Sequence, residues 1–77
     1  GKKMQIEAKT IGDRLKKLRG DKPRDEVAKE LGISYSALGM YEQGERIPRD
    51  EIKIKICDYY NVSIEDLFFS SKTTQSV

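Results

Sequence analysis

Apolar residues recur every three or four positions in several segments of this 77-residue chain, a spacing that places them on one face of an α-helix. Residues 11–19 are predicted to form the first helix, because Ile11, Leu15 and Leu18 fall on one such stripe. Thr10 stands at the N-cap position, where a side-chain oxygen accepts a hydrogen bond from the first turn. This pattern predicts a helix that buries one face against the rest of the chain.

Two further helices are predicted close together, each followed by a glycine. Residues 23–31 begin with a proline, which suits a helix start because its missing N–H would have no partner there. Residues 35–43 follow after Gly32, with Ser34 as the N-cap and Gly44 as the stop. Glycine readily adopts the left-handed conformation that ends helices, so the pattern predicts two short helices joined by a tight turn.

The fourth apolar segment, residues 48–60, permits two interpretations. Isoleucines at every second position from Ile52 to Ile56 are typical of a strand. A wider stripe of Ile52, Ile56 and Tyr59, preceded by a proline, is typical of a helix. A single strand would have no partner in the rest of the chain, and an unpaired strand is not stable. We therefore predict a helix.

A fifth, short helix is predicted after Ser63, which is placed to cap it, and Phe68 is expected to close the core. Residues 1–9 are expected to form a flexible N-terminal arm and residues 70–77 a disordered tail. Residues 10–69 then form one folded domain. The predicted fold is all-α, a compact bundle of five short helices.

Composition narrows the chemistry that the chain can perform. It has no histidine and one cysteine, Cys57, so an intramolecular disulfide is impossible and a zinc site lacks its usual ligands. The sequence shows neither a nucleophile–base arrangement nor a phosphate-binding glycine loop, so we expect no enzymatic activity, metal or other cofactor. No apolar stretch approaches the ~18 residues of a membrane helix. We expect a cytoplasmic protein without membrane association or an evident small-molecule ligand.

Charge is unevenly distributed, although the formal net charge is only +2. Residues 1–22 carry eight basic and three acidic side chains, whereas residues 23–77 carry seven basic and ten acidic ones. Such a basic segment permits binding to nucleic acid. A solvated helix face explains the same charges without any partner, so charge alone does not identify the function.

Several motifs in a fixed order carry a resemblance to a known family. The predicted turn reads Leu-Gly-Ile-Ser, the helix after it ends in Tyr-Glu-Gln-Gly, and an Ile-Pro pair follows. Residues 61–68 then read Asn-Val-Ser-Ile-Glu-Asp-Leu-Phe. This combination resembles the phage-repressor-like helix-turn-helix family, the XRE or Cro/cI-type transcriptional regulators. The resemblance covers residues 10–69.

This resemblance implies a fold and a function. The fold is the lambda-repressor-like DNA-binding domain, in which helices 2 and 3 form the helix-turn-helix. The implied function is sequence-specific regulation of transcription on double-stranded DNA, as a repressor. Proteins of this kind insert helix 3 into the major groove and bind palindromic operators as homodimers. Either helix 5, with Phe68 and Phe69, or the N-terminal arm is expected to form the dimer contact.

The resemblance also assigns residues to the DNA. The base-reading positions, which share one outward face of helix 3, are Tyr35, Ser36, Gly39 and Met40. No Arg or Asn lies on this face, so readout is expected to use apolar contacts and DNA shape. The alternative for Tyr35 and Met40 is partial burial in the core. The resemblance assigns Arg24 and Arg46 to the DNA backbone, and Gln43 is a third candidate. Ser34 joins them because the N-terminus of helix 3 offers N–H groups to a phosphate.

Two residues of helix 3 require an explanation. Gly39 costs about 1 kcal/mol relative to alanine inside a helix, and the close approach of another surface would account for it. Glu42 is acidic on a helix expected to face DNA, so we interpret it as structural, with a partner that the sequence does not identify. Pro23 in place of a capping residue, Glu45 in place of a common lysine and a short link between helices 1 and 2 indicate moderate DNA affinity.

The uncharged face of helix 3 also fits a second function. A protein of this fold can be a protein-interaction module, such as an antitoxin or an antirepressor partner, that uses the same helix to bind a protein. Salt-sensitive binding to duplex DNA would favour the regulator. Tight binding to a protein, without DNA affinity at low salt, would favour the interaction module.

Overall fold

The computed structural model describes residues 7–69, which form five helices joined by short turns. The four α-helices are α1 (Ala8–Arg19), α2 (Arg24–Leu31), α3 (Tyr35–Gln43) and α4 (Asp50–Tyr60). A short C-terminal π-helix (Glu65–Phe69) follows. Residues 7–69 contain no strand. The all-α, five-helix prediction is therefore confirmed, and the strand interpretation of residues 52–56 is wrong because this segment lies inside α4.

One apolar core lies where these helices meet, and each of them contributes to it. Leu18, the third member of the stripe predicted in the first helix, is 37% exposed because it lies at the end of α1, beside a shallow groove. Cys57 is buried among apolar side chains and belongs to the core. The large apolar side chains that are essentially inaccessible to solvent are Ile11, Leu15, Val27, Leu38, Ile56 and Phe68.

Helix α1 approaches the carboxyl end of α3 closely. A Cβ atom built on Gly12 would lie 2.3 Å from the backbone oxygen of Glu42. One built on Gly44 would lie 2.8 Å from the Cα atom of Lys9. Since neither position has room for a side chain, the two helix backbones pack directly on each other. This contact fixes the orientation of α3 relative to α1.

The turn between α2 and α3 forms as the sequence predicts. Gly32 ends α2 in the left-handed conformation at φ 75°, and Gly44 ends α3 at φ 79°. Ser34 caps α3, and its Oγ accepts a hydrogen bond from the N–H of Ala37 at 3.0 Å. Ser63 caps the C-terminal helix in the same way, accepting from the N–H of Asp66 at 3.1 Å. The predicted limits of α3 are confirmed.

The start of α1 differs from the prediction. The helix begins at Ala8, with Glu7 at the N-cap position, so Thr10 lies inside the first turn and its role as a cap is wrong. Residues 8 and 9 belong to the helix instead of the flexible arm. Alanine and lysine favour helices, and the packing of Lys9 on Gly44 stabilises this extra turn. The rest of the expected arm, residues 1–6, and the expected tail, residues 70–77, lie outside the described residues.

The end of the described chain corrects one part of the expected dimer contact. Phe68 is fully buried, which confirms that it closes the core. It therefore has no surface to offer a second subunit, and its assignment to a dimer contact is wrong. Phe69 is half-buried against the same core.

Candidate DNA interface

The outward face of α3 carries most of the residues that the resemblance assigns to base reading. Leu38 is only 1% exposed and holds the opposite side of α3 in the core. Tyr35 is 56% exposed, and Ser36 is exposed beside it. Met40 is half-buried. Partial burial, the alternative left open for Tyr35 and Met40, therefore applies to Met40.

The sequence predicts that Gly39 is exposed on this face, but the structure shows otherwise. Gly39 is buried, and the side chain of Arg24, the first residue of α2, lies over it. A Cβ atom built on Gly39 would be 3.4 Å from Nη1 of Arg24. The expected exposure of Gly39 is thus wrong because a side chain from another helix covers it. The guanidinium of Arg24 is thus the surface that approaches Gly39, but a separation of 3.4 Å leaves room for an alanine methyl group and does not by itself require a glycine.

Two other groups hold Arg24 in this position. Its Nε donates a hydrogen bond to Oε1 of Glu42 at 3.2 Å. Its guanidinium carbon lies 5.4 Å from the centre of the Tyr35 ring, within the range where a cation is attracted to an aromatic face. The side chain keeps 25% of its surface exposed. Arg24 and Tyr35, which come from two different helices, therefore form one surface unit that we call the Arg24–Tyr35 pair.

Glu42 is the buried acid beneath this surface. Its side chain has no exposed area, and Arg19 donates to it twice, from Nε to Oε2 at 2.7 Å and from Nη2 to Oε1 at 3.0 Å. Arg24 provides the third hydrogen bond. A buried carboxylate without such partners would be strongly unfavourable. The prediction that Glu42 is structural and paired is confirmed, and its partners are now identified.

Arg19 is the residue of this site that the sequence analysis missed. It ends α1, and its Nη1 also donates to the backbone oxygen of Lys22 at 2.7 Å, so it joins the α1–α2 turn to α3. The hydrogen bond to Glu42 raises the pKa of Arg19. The signal in the sequence was the unexplained acid on α3. A separation of 23 residues along the chain gives no means of choosing Arg19 among the basic residues.

Tyr60 of α4 lies within electrostatic range of the same pair. Its hydroxyl is buried and has no hydrogen-bond partner within residues 7–69. Burial raises the pKa of Tyr60 to about 12, and the negative charge of Glu42 contributes in the same direction. The phenol is therefore neutral at physiological pH, and it adds no charge to the buried Arg19–Glu42 pair.

The other residues assigned to the DNA backbone are accessible to solvent around α3. Ser34, Gln43 and Arg46 are all exposed. The Oγ of Ser34 accepts its hydrogen bond from Ala37, so its own hydroxyl proton remains available for donation. The first turn of a helix also presents N–H groups without intrahelical partners, which suit an anion. These side chains are thus accessible to an anionic partner.

Part of the basic N-terminal segment is used inside the protein. Arg14 donates from Nη1 to a backbone oxygen of the C-terminal π-helix at 2.6 Å. Lys22 donates to the hydroxyl of Tyr59 at 2.8 Å, and this hydrogen bond raises the pKa of Lys22. Lys16 and Lys17, in the last turn of α1, are exposed. The charge of this segment is therefore in part structural.

The described residues do not meet the requirements of a metal site, a reactive thiol or a membrane-spanning helix. Residues 7–69 contain no group of three Cys, Asp or Glu side chains arranged to hold a metal ion. Burial raises the pKa of the Cys57 thiol, which makes a reactive thiolate less accessible. Within the same residues, no helix is both long and apolar enough to cross a membrane.

The succession of α2, a glycine turn and α3 agrees with a known family. The family model described as Helix-turn-helix, HTH_3, matches residues 15–67, which is more than half of the chain. The chain belongs to the helix-turn-helix family. This match confirms the resemblance to XRE-type regulators that the sequence motifs indicate.

Two sequence relatives of this helix-turn-helix protein bear names of transcriptional regulators. It is 38% identical over 47 residues, 61% of this chain, to the cryptic phage CTXphi transcriptional repressor RstR of Vibrio cholerae. That match spans only 42% of the repressor's length. It is also 38% identical over 64 residues to the uncharacterized HTH-type transcriptional regulator YazB of Bacillus subtilis, covering 80% of this chain and 93% of the relative.

A solved structure shares the fold. The solution structure of the SOS-response transcriptional repressor LexA from Eubacterium rectale superposes with a TM-score of 0.81, covering 92% of this chain and 78% of that one. The two sequences are 23% identical, so this likeness establishes the fold alone. Membership of this family identifies the chain as a DNA-binding protein of the transcriptional-regulator type. It also supports the expectation that the protein is not an enzyme.

Proposed function

We propose that this helix-turn-helix protein is a transcriptional repressor that binds a specific sequence of double-stranded DNA by inserting α3 into the major groove. The observation that carries the proposal is the outward face of α3, where Tyr35 and Ser36 are exposed and the guanidinium of Arg24 lies 5.4 Å from the centre of the Tyr35 ring. A face of this kind offers apolar, hydrogen-bonding and cationic groups together. The name of the Vibrio cholerae relative supports the choice of repressor.

Each residue at the interface receives a role from its position. Ser36 donates to or accepts from a base edge, and Tyr35 and Met40 pack on thymine methyl groups. Gly39 keeps the centre of the face free of a side chain from α3 itself. The residues that hold the phosphates are Ser34 at the helix N-terminus, Gln43 and Arg46. Arg24 contacts the DNA from α2.

The functional unit is a homodimer on a palindromic operator. A single α3 of nine residues reaches only a few base pairs, which is too little to specify a site. Two copies related by a two-fold axis would place their α3 helices in successive major grooves, about one helical turn of DNA apart. The protein acts in the cytoplasm on its DNA target.

Selection from a random duplex pool tests this function. Binding is first measured by fluorescence anisotropy at about 50 mM and about 200 mM salt, because neutralised phosphates make affinity fall steeply with salt. The bound fraction is then amplified and sequenced through several rounds. We expect salt-sensitive binding and enrichment of a two-fold symmetric sequence. Absence of binding at the lower salt concentration would contradict the proposal.

A matched pair of variants strengthens the test. Arg46→Ala removes an exposed cation beside α3, and we expect weaker binding to all sequences with a salt slope that is smaller by about 0.9. Lys29→Ala removes an exposed cation from the last turn of α2, and we expect no change in that slope. Equal effects of the two substitutions would show that α3 does not direct the contact.

The protein-interaction module is the weaker candidate. The side chains on the outward face of α3 are uncharged, which fits such a module, but the guanidinium of Arg24 lies on this same face. The cationic surface favours a polyanion over an apolar protein groove. The selection experiment separates the two functions, because an interaction module would show no affinity for duplex DNA at low salt.

A further inference from the structure

We propose that Arg24 is a specificity-determining residue that reads a guanine in the major groove, although it belongs to α2. The resemblance assigns this position to the DNA backbone, and nothing on α3 itself can make a bidentate contact with guanine. The inference rests on the proposed function, since it requires α3 to enter the groove. It adds a base-reading side chain supplied by the neighbouring helix.

The first argument is the position of the guanidinium on the face. At about 100° per residue, Gly39 falls between Tyr35 and Gln43 on the α3 helix, near the middle of the outward face. A Cβ atom on Gly39 would lie 3.4 Å from Nη1 of Arg24. The guanidinium therefore lies where the outer atoms of a side chain longer than alanine at position 39 would extend.

The second argument is orientation. Nε of Arg24 donates to Glu42 at 3.2 Å, and the Tyr35 ring flanks the guanidinium carbon at 5.4 Å. These contacts restrict the plane of the guanidinium and reduce the entropy lost on binding. Neither Nη1 nor Nη2 of Arg24 donates a hydrogen bond to another residue in the range 7–69. Two adjacent donors thus remain for the O6 and N7 acceptors of guanine.

The third argument is the contrast with the phosphate-binding candidates. A side chain that reaches a phosphate extends outward from the edge of a recognition surface, as exposed Arg46 is placed to do. Arg24 keeps only 25% of its surface exposed and lies against α3. We expect a base edge in the groove to meet its Nη donors while the contacts with Glu42 and Tyr35 stay in place.

The test compares Arg24→Lys with wild type on the selected site and on the set of single base-pair variants of that site. For wild type, we expect one G·C pair in each half-site whose replacement lowers affinity roughly 10- to 100-fold. Arg24→Lys keeps the positive charge and loses the planar pair of donors. We expect it to abolish the preference at that one position while the salt slope stays unchanged.

Two benchmark variants make the outcome decisive. Lys29→Ala, which removes an exposed cation outside the proposed interface, should retain the preference at every position. Gly39→Leu should displace the guanidinium and remove the same G·C preference with Arg24 still present, and its melting temperature shows whether it is folded. Loss of the preference in both Arg24→Lys and folded Gly39→Leu supports the inference.

The contrary result has a clear signature and differs from failure of the proposed function. If Arg24→Lys keeps every base preference, and Arg24→Gln weakens all sequences equally with a salt slope smaller by about 0.9, then Arg24 binds a phosphate and the inference is overturned. If wild type binds no duplex at low salt, the proposed function itself fails. Wild-type binding with an intact preference in the variants overturns only the role of Arg24.

Discussion

Arg19 donates two hydrogen bonds to the carboxylate of Glu42, from Nε at 2.7 Å and from Nη2 at 3.0 Å. The Glu42 side chain has no exposed surface. This contact joins the last residue of α1 to the last turn of α3. Because Arg24 donates to the same carboxylate, hydrogen bonds to this one buried acid connect α1, α2 and α3. The position of the candidate DNA interface therefore depends on a residue that no DNA would touch.

We expect Arg19→Met to lower the free energy of unfolding by about 3 kcal/mol. Removing one partner of a buried ion pair leaves the other charge without compensation, and Arg24 supplies only one of the three hydrogen bonds to Glu42. Urea denaturation followed by circular dichroism measures the change. Lys17→Met, at an exposed cation in the same turn, is the control and should change stability by less than about 0.5 kcal/mol. Equal effects would refute the structural role of the pair.

Two glycines inside helices are expected to respond in opposite ways to alanine. Gly12→Ala should destabilise the protein by about 3 kcal/mol, because the new Cβ would lie 2.3 Å from a backbone oxygen of α3. Gly39→Ala should be neutral or stabilising by up to about 1 kcal/mol, since its Cβ meets only the end of a flexible arginine at 3.4 Å. Thermal denaturation of the two variants tests this, and similar melting temperatures would contradict it.

Tyr60→Phe should make the protein more resistant to alkali. The folded-state pKa of Tyr60 is raised to about 12, so the unfolded chain loses this proton first as pH rises. The contribution of protonated Tyr60 to the free energy of unfolding is therefore fully present below the ordinary tyrosine pKa. It is lost as the pH rises from about 10 to about 12. We expect wild type to lose more stability than Tyr60→Phe over this interval in urea melts. Parallel curves would argue against the shift.

The same substitution should not cost stability at neutral pH. The hydroxyl of Tyr60 has no partner within the described residues, so its removal breaks no hydrogen bond there and leaves the packing of the ring intact. Equal or higher stability of Tyr60→Phe at pH 7 is the expected result. A loss of more than about 1 kcal/mol would indicate a hydrogen bond to this hydroxyl.

Ser34→Ala should cost about 1 kcal/mol of stability because it removes the N-cap of α3. Thr10→Ala is the matched comparison, since the sequence pattern marks Thr10 as a cap but the structure places it inside α1. We expect the Thr10 variant to match wild type within about 0.5 kcal/mol, as alanine is the better helix former. Chemical denaturation distinguishes the two, and an equal loss for both would reinstate Thr10 as a cap.

The limits of α3 were predictable because they depend on local chemistry. Ser34 accepts its hydrogen bond from a residue three positions later, and Gly44 adopts its left-handed conformation next to the helix that it ends. The first residue of α1 was not predictable in this way. Packing of Lys9 on Gly44 extends that helix, and this contact joins distant parts of the chain.

The candidate site shows the same division. Periodicity placed Tyr35 and Ser36 on the surface of α3, and the structure agrees. It also placed Gly39 there, and failed because the covering side chain comes from α2. The spacing of apolar residues describes one helix at a time. It therefore contains no information about side chains from a neighbouring helix that cover its surface. The pairing of Arg19 with Glu42 was hidden for the same reason.

The carboxylate of Glu42 and the guanidinium of Arg24 are buried to different extents, and this difference affects the electric field at the protein surface. The carboxylate of Glu42 is sealed beneath the surface, and the guanidinium of Arg24 stands partly above it. Arg19 also compensates this carboxylate, so the cluster carries one net positive charge, and the guanidinium of Arg24 is its most exposed part. A polyanion at contact distance is attracted by this guanidinium, because the carboxylate lies deeper and acts over a longer path. Such a short-range field survives the screening by salt that weakens distant surface charges.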